Sequence, residues 1–148
     1  MSDPSSFDLE DFLPYALNRA AEVSSRDFQR IYKDKYGMLR TEWRVLFHLG
    51  RYGEMTAKTI CDRADIHKTK VSRAVAALEA KSLLNRRTQP QDRRHETLCL
   101  TPRGHRVFAD LNEAARAYDA RLAARFTREE QDILRRCLRT ITEMRERP

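Results

Sequence analysis

One short segment of the chain has the pattern of a β-hairpin, while the segments on both sides of it have helical periodicity. The stretches LLNRRT, at 83–88, and TLCLT, at 97–101, are compatible with strands, and Leu98 and Leu100 alternate with polar or small neighbours. The loop QPQDRRH, with Pro90, separates the two stretches. A single hairpin among helices predicts a mostly α protein with a small β-hairpin, in the α+β class.

Four helices are predicted before the hairpin. The first lies within residues 8–37, has apolar side chains at helical spacing and ends at Gly37. The second begins after Thr41, which we expect to be its N-cap, and stops at Gly53. Thr56 caps a short third helix, and IHKTKVSRAVAALEAKS forms the fourth. Inward-facing side chains on the third and fourth helices are expected at Ala57, Ile60, Cys61, Ala64, Val71, Ala74, Val75 and Leu78.

Two helices are predicted after the hairpin. Thr101 and Pro102 supply an N-cap and a proline at the first helical position. Thr127 and Glu130 form a capping box that opens the last helix. The apolar stripe of this helix comprises Ile133, Leu134, Cys137, Leu138, Ile141 and Met144.

The length and the amino-terminal sequence limit the class of protein. A chain of 148 residues is expected to form one domain, with helical arms that share an apolar face with a partner chain. No apolar run approaches the roughly 20 residues that span a bilayer. The start, MSDPSSFDLEDF, is acidic and polar and does not resemble a secretory signal, which predicts a cytoplasmic location.

The three cysteines do not form a metal or disulfide pattern. Cys61, Cys99 and Cys137 are odd in number, far apart and without a CxxC spacing. We therefore expect reduced, partly buried thiols.

The positive charge is concentrated in the middle of the chain. Residues 56–106 contain 12 lysines and arginines against 5 acids, which accounts for the whole net charge of +7. The flanking segments 1–55 and 107–148 are close to neutral. A basic block inside a folded segment indicates a surface for a polyanion, and nucleic acid is the expected partner.

The third and fourth helices have the pattern of a helix-turn-helix. A recognition helix presents short hydrogen-bonding side chains to base edges and cations to phosphates. Thr69, Lys70, Ser72 and Arg73 meet that requirement on the face opposite the apolar side chains. Phosphate contacts are also expected from Lys68, Arg87 and, through the start of its helix, Thr56.

The predicted hairpin follows the recognition helix directly, as a wing does in a winged helix-turn-helix. A narrow wing tip can enter the minor groove, where an arginine is strongly attracted. Arg94 is the expected minor-groove residue, and Arg93 is an alternative for that role. Asp92 is expected to orient one of these arginines through a charge-assisted hydrogen bond.

The segments DRADIHKTKVSRAVAALEAKSLLNRR and PQDRRHETLCLTPRG resemble the MarR (multiple antibiotic resistance regulator) family. The resemblance implies a winged helix-turn-helix lobe at 41–101 and helical dimerisation arms at 8–37 and 102–147. It also implies a homodimer that binds a pseudo-palindromic double-stranded DNA operator, most commonly as a repressor. Release by a small effector, often an aromatic acid or its thioester, is a further implication.

Two positions depart from the family pattern. Ser82 stands where glycine is usual, and a left-handed conformation there would cost on the order of 1 kcal/mol. His67 occupies the N-cap position of the recognition helix, where aspartate or serine is usual.

An effector pocket is expected near Tyr15, Arg19, Trp43 and His48, since arginine beside aromatic rings suits an aromatic carboxylate. The alternative is that Trp43 belongs to the core and Arg19 to the dimer surface. The four histidines are scattered, so neither a metal nor a cofactor is expected. The sequence contains no phosphate loop and no nucleophile elbow, and we expect a protein that is not an enzyme.

Two other functions are alternatives to a ligand-responsive DNA-binding regulator. A thiol-based peroxide sensor in this family would have a cysteine early in the first helix, whereas the first cysteine here is Cys61. A winged-helix module that binds only proteins would not require the localised positive charge.

Overall fold

The structure is a computed structural model that describes residues 7–89 and 91–144, apart from the side chains of residues 89 and 92–95. A turn of 3-10 helix, Leu9–Asp11, precedes the first α-helix. The helices and strands are α1 (Leu13–Tyr36), α2 (Arg40–Tyr52), β1 (Met55–Thr56), α3 (Ala57–Ala64), α4 (Lys68–Ala80), β2 (Leu84–Gln89), β3 (Asp92–Leu100), α5 (Pro102–Ala123) and α6 (Arg128–Glu143). The predicted order of four helices, a hairpin and two helices is confirmed, as is the mostly α class with a small antiparallel sheet.

Local capping signals set most helix ends as expected. Gly37 ends α1 in the left-handed conformation, with φ of 64°. Thr101 Oγ1 accepts a hydrogen bond from the Gly104 N–H at 2.9 Å, and this contact caps α5. Thr127 and Glu130 form the predicted capping box of α6.

The predicted N-cap of α2 was wrong. The helix begins at Arg40, so Thr41 lies inside its first turn and the N-cap is Leu39. Leu39 has no side-chain acceptor for the first helical N–H groups. The Glu42 carboxylate instead accepts the Leu39 N–H at 3.0 Å, which satisfies one of the free donors at this end.

The hairpin belongs to a three-stranded antiparallel sheet in the order β1-β3-β2. Leu98 is paired with Arg86 on one side and with Met55 on the other. The two-residue strand β1 was not predicted. Its pairing partner lies more than 40 residues away along the chain, and no local pattern marks it.

The chain divides into two compact units, of which the first extends to Glu113. Its core contains fully buried side chains from α2, α3, α4 and the sheet, including Val45, Leu46, Leu49, Ile60, Val71, Val75, Leu78, Leu83, Leu84 and Leu98. The inward face of α4 is therefore as predicted. Ala57 was wrongly placed inward, because it directly follows the Thr56 cap and is exposed in the first turn of α3.

The second unit begins at Ala114 and contains the end of α5 and all of α6. Its helices are tied by the Gln131 amide, which donates to the Ala123 carbonyl at 2.7 Å, and by an ion pair of Arg135 with Asp119 at 3.2 Å. The predicted apolar stripe of α6 is exposed, with Ile133, Leu134, Leu138, Ile141 and Met144 between 41% and 70% accessible.

The three cysteines differ in burial. Cys99 is buried and Cys61 is half-buried, as expected, but Cys137 is exposed with the rest of the α6 stripe. The described helices include none that is both long and apolar enough to cross a bilayer.

Candidate nucleic-acid interface

The turn between α3 and α4 is held by contacts from both sides. Asp65 adopts the left-handed conformation, with φ of 53°, and the Ile66 N–H donates to the Cys61 carbonyl at 3.3 Å. From α2, the Arg44 guanidinium donates to the Ala64 carbonyl at 2.6 Å. Burial lowers the pKa of Arg44 from its ordinary value, and the neighbouring Arg40 acts in the same direction. The angle at which α4 leaves α3 is thus fixed.

The recognition helix α4 has one buried face and one exposed face. His67 is its N-cap, and the ring Nδ1 accepts the Thr69 N–H at 3.2 Å. Val71, Val75 and Leu78 are buried against the core. The exposed face carries the predicted contact residues Lys68, Thr69, Lys70, Ser72 and Arg73. Among the described residues, no carboxylate forms an ion pair with Lys68, Lys70 or Arg73, so their charges are available to an external anion.

The base of the hairpin is attached to α4 through charged side chains. Arg86 pairs with Glu79 of α4 at 3.1 Å and with Glu96 of β3 at 3.2 Å. The hydrogen bond that Arg86 donates to Glu96 makes the largest contribution to the raised pKa of Arg86. This arginine therefore joins recognition helix, β2 and β3.

Two predicted phosphate contacts have other partners in the fold. Arg87 forms an ion pair with Glu54 at 2.9 Å, although both side chains remain largely exposed. Thr56 caps α3 by accepting the Thr59 N–H at 3.2 Å. For these two residues the structural role is observed, and the phosphate contact stays a prediction.

The wing tip carries predictions that lie outside the described side chains. Asp92, Arg93 and Arg94 begin β3, but their side chains are not described.

Ser82, between α4 and β2, adopts the left-handed conformation for which the sequence analysis estimated an energetic cost, with φ of 60°. Its carbonyl accepts the Thr101 hydroxyl at 2.7 Å, which connects the two ends of the hairpin.

The four predicted effector residues lie in three separate environments. Trp43 stacks on Tyr32 with ring centres 5.7 Å apart, and Phe28 and Phe47 are its other aromatic neighbours. Within the described part of the chain, the buried Trp43 Nε1–H has no hydrogen-bond acceptor.

The other three are polar contacts on α1 and α2. The Arg19 guanidinium lies 6.0 Å from the centre of the Tyr15 ring, and the His48 Nδ1 is 2.7 Å from the Arg44 carbonyl oxygen. The sequence grouped these residues only because they lie on the first two helices. In the described part of the structure, no side-chain contact joins Trp43, the Tyr15–Arg19 pair and His48 to one another.

Sequence reasoning missed a buried ion pair. Glu42 is 4% exposed, and its Oε1 is 2.5 Å from the Lys81 Nζ at the end of α4. The Lys81 ammonium also donates to the Gly37 carbonyl at 3.0 Å. The two residues are separated by 39 positions, and no spacing rule connects them.

Metal chemistry has no support in the part of the chain that the structure describes. No group of three or more histidine, cysteine, aspartate or glutamate residues there could hold an ion. The expectation of no metal remains a prediction from the sequence.

Comparisons with known proteins give a consistent result. Residues 36–95 match the sequence profile of the MarR family. The chain is 26% identical over 120 residues to an uncharacterised HTH-type transcriptional regulator, YwoH of Bacillus subtilis, covering 81% of this chain and 86% of that one.

Solved structures share the fold. BpsR of Bordetella bronchiseptica, whose DNA binding is regulated by 6-hydroxynicotinic acid, superimposes with a TM-score of 0.84 at 20% identity, covering 94% of this chain and 99% of that one. PcaV of Streptomyces coelicolor, a transcriptional regulator solved with its natural ligand, gives 0.78 at 21% identity, covering 96% and 99%.

Proposed function

We propose that this chain is a member of the MarR family of DNA-binding transcriptional regulators, whose profile residues 36–95 match, and that it is a ligand-responsive repressor acting as a homodimer in the cytoplasm. The observation that carries the proposal is the exposed face of α4. Its cations are free of internal ion pairs among the described residues, while its opposite face is anchored in the core. Such a helix can enter a major groove without exposing apolar surface.

The exposed apolar side chains favour a second copy of the chain as partner. The stripe on α6 is a row of large apolar side chains that are 41–70% exposed, which is typical of an interaction surface, and Phe7, Leu9 and Leu13 near the amino terminus are also more than half exposed. Interleaved arms would bury both surfaces. A dimer would also hold two recognition helices about one DNA turn apart, roughly 34 Å, to bind a pseudo-palindromic operator.

The proposed effector is a small aromatic carboxylate. The aromatic cluster around Trp43 offers flat apolar surface, and the free Trp43 Nε1–H offers a donor without a competing internal acceptor among the described residues. The ligand named for BpsR, 6-hydroxynicotinic acid, is of this chemical class. An effector that prefers a different spacing of the two lobes would weaken operator binding by its differential affinity, typically about 1–3 kcal/mol.

The proposal is tested with DNA selected from a random-sequence pool by the wild-type protein. We expect a two-fold symmetric consensus, dimer mass in sedimentation, and a loss of about 1–3 kcal/mol in binding free energy for Arg73→Ala. Arg26→Ala, an exposed arginine on α1, is the matched control and should bind as the wild type does. A monomer, or a pool without enrichment at low salt, would refute the proposal.

A further inference from the structure

A second basic feature lies outside the recognition helix and the wing. Tyr52, at the end of α2, is 53% exposed and has two arginines against its ring. The Arg63 guanidinium carbon is 4.7 Å from the ring centre, and that of Arg51 is 5.4 Å from it. Both distances run to one ring, so the two positive charges lie within about one Debye length of each other, roughly 10 Å at 0.1 M salt.

The two arginines lack compensating acids. In the described portion of the chain, no carboxylate is within ion-pairing distance of Arg51 or Arg63. Glu54, the acid that follows Tyr52 most closely in sequence, is bound by Arg87 at 2.9 Å. The tyrosine ring thus holds two like charges together while the nearest acid in sequence is occupied elsewhere.

Cation–π contact orders a guanidinium without satisfying its N–H groups. The ring attracts the face of the cation, and the N–H donors in the guanidinium plane stay free for oxygen acceptors. A phosphate oxygen pair matches that planar set of donors. The side chains are also ordered before binding, so less conformational entropy is lost when a ligand arrives.

The position of the cluster identifies the phosphate source. Arg63 is in the last turn of α3, which packs on α4 and is the first helix of the helix-turn-helix. In that motif the first helix crosses the sugar-phosphate backbone while the second lies in the groove. We propose that Arg51, Tyr52 and Arg63 form a phosphate clamp that grips the DNA backbone outside the base pairs read by α4. This inference rests on the proposed DNA-binding function and adds a contact surface to it.

The simpler role for these arginines is electrostatic support of the helices. Each is in the last turn of its helix, where a cation interacts favourably with the helix dipole. That role predicts lower helix stability on substitution and an unchanged dependence of DNA binding on salt. The salt dependence therefore separates the two roles.

The test measures the affinity of purified full-length protein for a mixed-sequence duplex of about three helical turns, roughly 30 base pairs. Fluorescence anisotropy is recorded across a series of KCl concentrations. The slope of log K against log [KCl] is negative, and each lost phosphate contact reduces its magnitude by about 0.9. Because a dimer has two clamps, Arg63→Gln should reduce that magnitude by about 1.8, and Arg51→Gln with Arg63→Gln by about 1.8–3.6.

Two further variants make the result specific. The paired substitutions Arg26→Gln and Arg30→Gln remove the same charge from α1 and should leave the slope within error of the wild type. Tyr52→Leu keeps both arginines but removes the ring, and we expect weaker binding with the slope largely kept. Thermal melts of every variant verify folding.

The outcomes are distinguishable. If the wild type binds the duplex and the Arg51/Arg63 double variant has the wild-type slope, the clamp is refuted and the proposed function stands. An equal loss of slope in the α1 control would show a general charge effect and would also refute the clamp. Absence of salt-dependent binding by the wild type would instead refute the proposed function itself.

Discussion

The ion pair between Glu42 and Lys81 supports a quantitative prediction about stability. The carboxylate is almost completely buried and accepts two hydrogen bonds, from Lys81 Nζ and from the Leu39 N–H. The lysine side chain is 32% exposed, so its end of the pair is accessible to water. The two substitutions should therefore have unequal effects.

Lys81→Met is expected to be the more costly change. It leaves a buried carboxylate with one neutral donor, and removing one partner of a fully buried pair costs about 3–5 kcal/mol. Because water reaches the lysine end of the pair and weakens the interaction, the expected cost is smaller, and the free energy of unfolding should fall by about 2–3 kcal/mol. Glu42→Gln keeps an acceptor for the Leu39 N–H and leaves an ammonium that can turn into solvent, which should cost about 1 kcal/mol.

The double variant tests the interaction itself. With both charges removed, no charge is left buried without a partner, so the total loss should be about 1–2 kcal/mol smaller than the sum of the single losses. Urea unfolding followed by circular dichroism, at one fixed protomer concentration, measures all four proteins. Arg30→Met, which breaks an exposed pair with Asp27, is the control and should cost less than about 0.5 kcal/mol. Additive losses, or a Lys81→Met loss as small as the control, would show that the pair does not stabilise the fold.

Three other predictions concern single positions in the fold. Ser82→Gly should raise the free energy of unfolding in urea by about 0.5–1 kcal/mol, because φ is 60° there. The same change at Ser72, inside α4, should lower it, and a change of the same sign at both positions would contradict the explanation. Gly104→Ala should lower the melting temperature more than Gly50→Ala. At Gly104 the new Cβ would lie 2.1 Å from the Leu83 carbonyl oxygen, which belongs to the backbone, whereas at Gly50 it would lie 2.3 Å from the ring of Phe108, a side chain that can move. Burial and the hydrogen bond to Asp110 raise the pKa of Tyr36 to about 12 from 10.0, so its contribution to stability is present below pH 10 and is lost as the pH rises through about 12. Tyr36→Phe should therefore lose less stability than the wild type between pH 10 and about pH 12, as measured by the midpoint of urea unfolding at a series of pH values. An identical loss in the variant would exclude Tyr36 as its source.

The sequence predicted those parts of the fold that depend on local signals. Gly37, Thr56 and Thr127 end or begin helices because the capping groups are next to the backbone that they satisfy. The Thr41 prediction failed because α2 begins earlier, at Arg40, and the Glu42 carboxylate, three positions beyond the Leu39 N-cap, accepts the Leu39 N–H. Two acceptable capping solutions lay within one turn, and the local pattern did not distinguish them.

Contacts between segments that are distant along the chain could not be predicted from the sequence. The strand β1 has only two residues, and it is defined by pairing with β3 rather than by its own composition. Arg87 was correctly placed on an exposed strand, yet its ion pair with Glu54 depends on how the turn after α2 meets the sheet. The exposure of Cys137 follows similarly, because the apolar stripe of α6 has no partner within its own described unit.

The distribution of ion pairs changes the meaning of the basic middle segment. By composition, all of its cations contribute equally to attraction of a polyanion. In the fold, Arg86, Arg87 and Lys81 are neutralised by Glu79, Glu96, Glu54 and Glu42, and these pairs fix the wing and the end of α4 to the rest of the lobe.

Among the described cations that form no ion pair are those on the outer face of α4 and those around Tyr52. Surface charges that are already paired gain little from a phosphate, because binding must break one ion pair to form another. The structure therefore separates the positive charge into a scaffold and a binding surface. The number of phosphates neutralised should be smaller than the number of basic residues in 56–106, and the slope of log K against log [KCl] measures it directly.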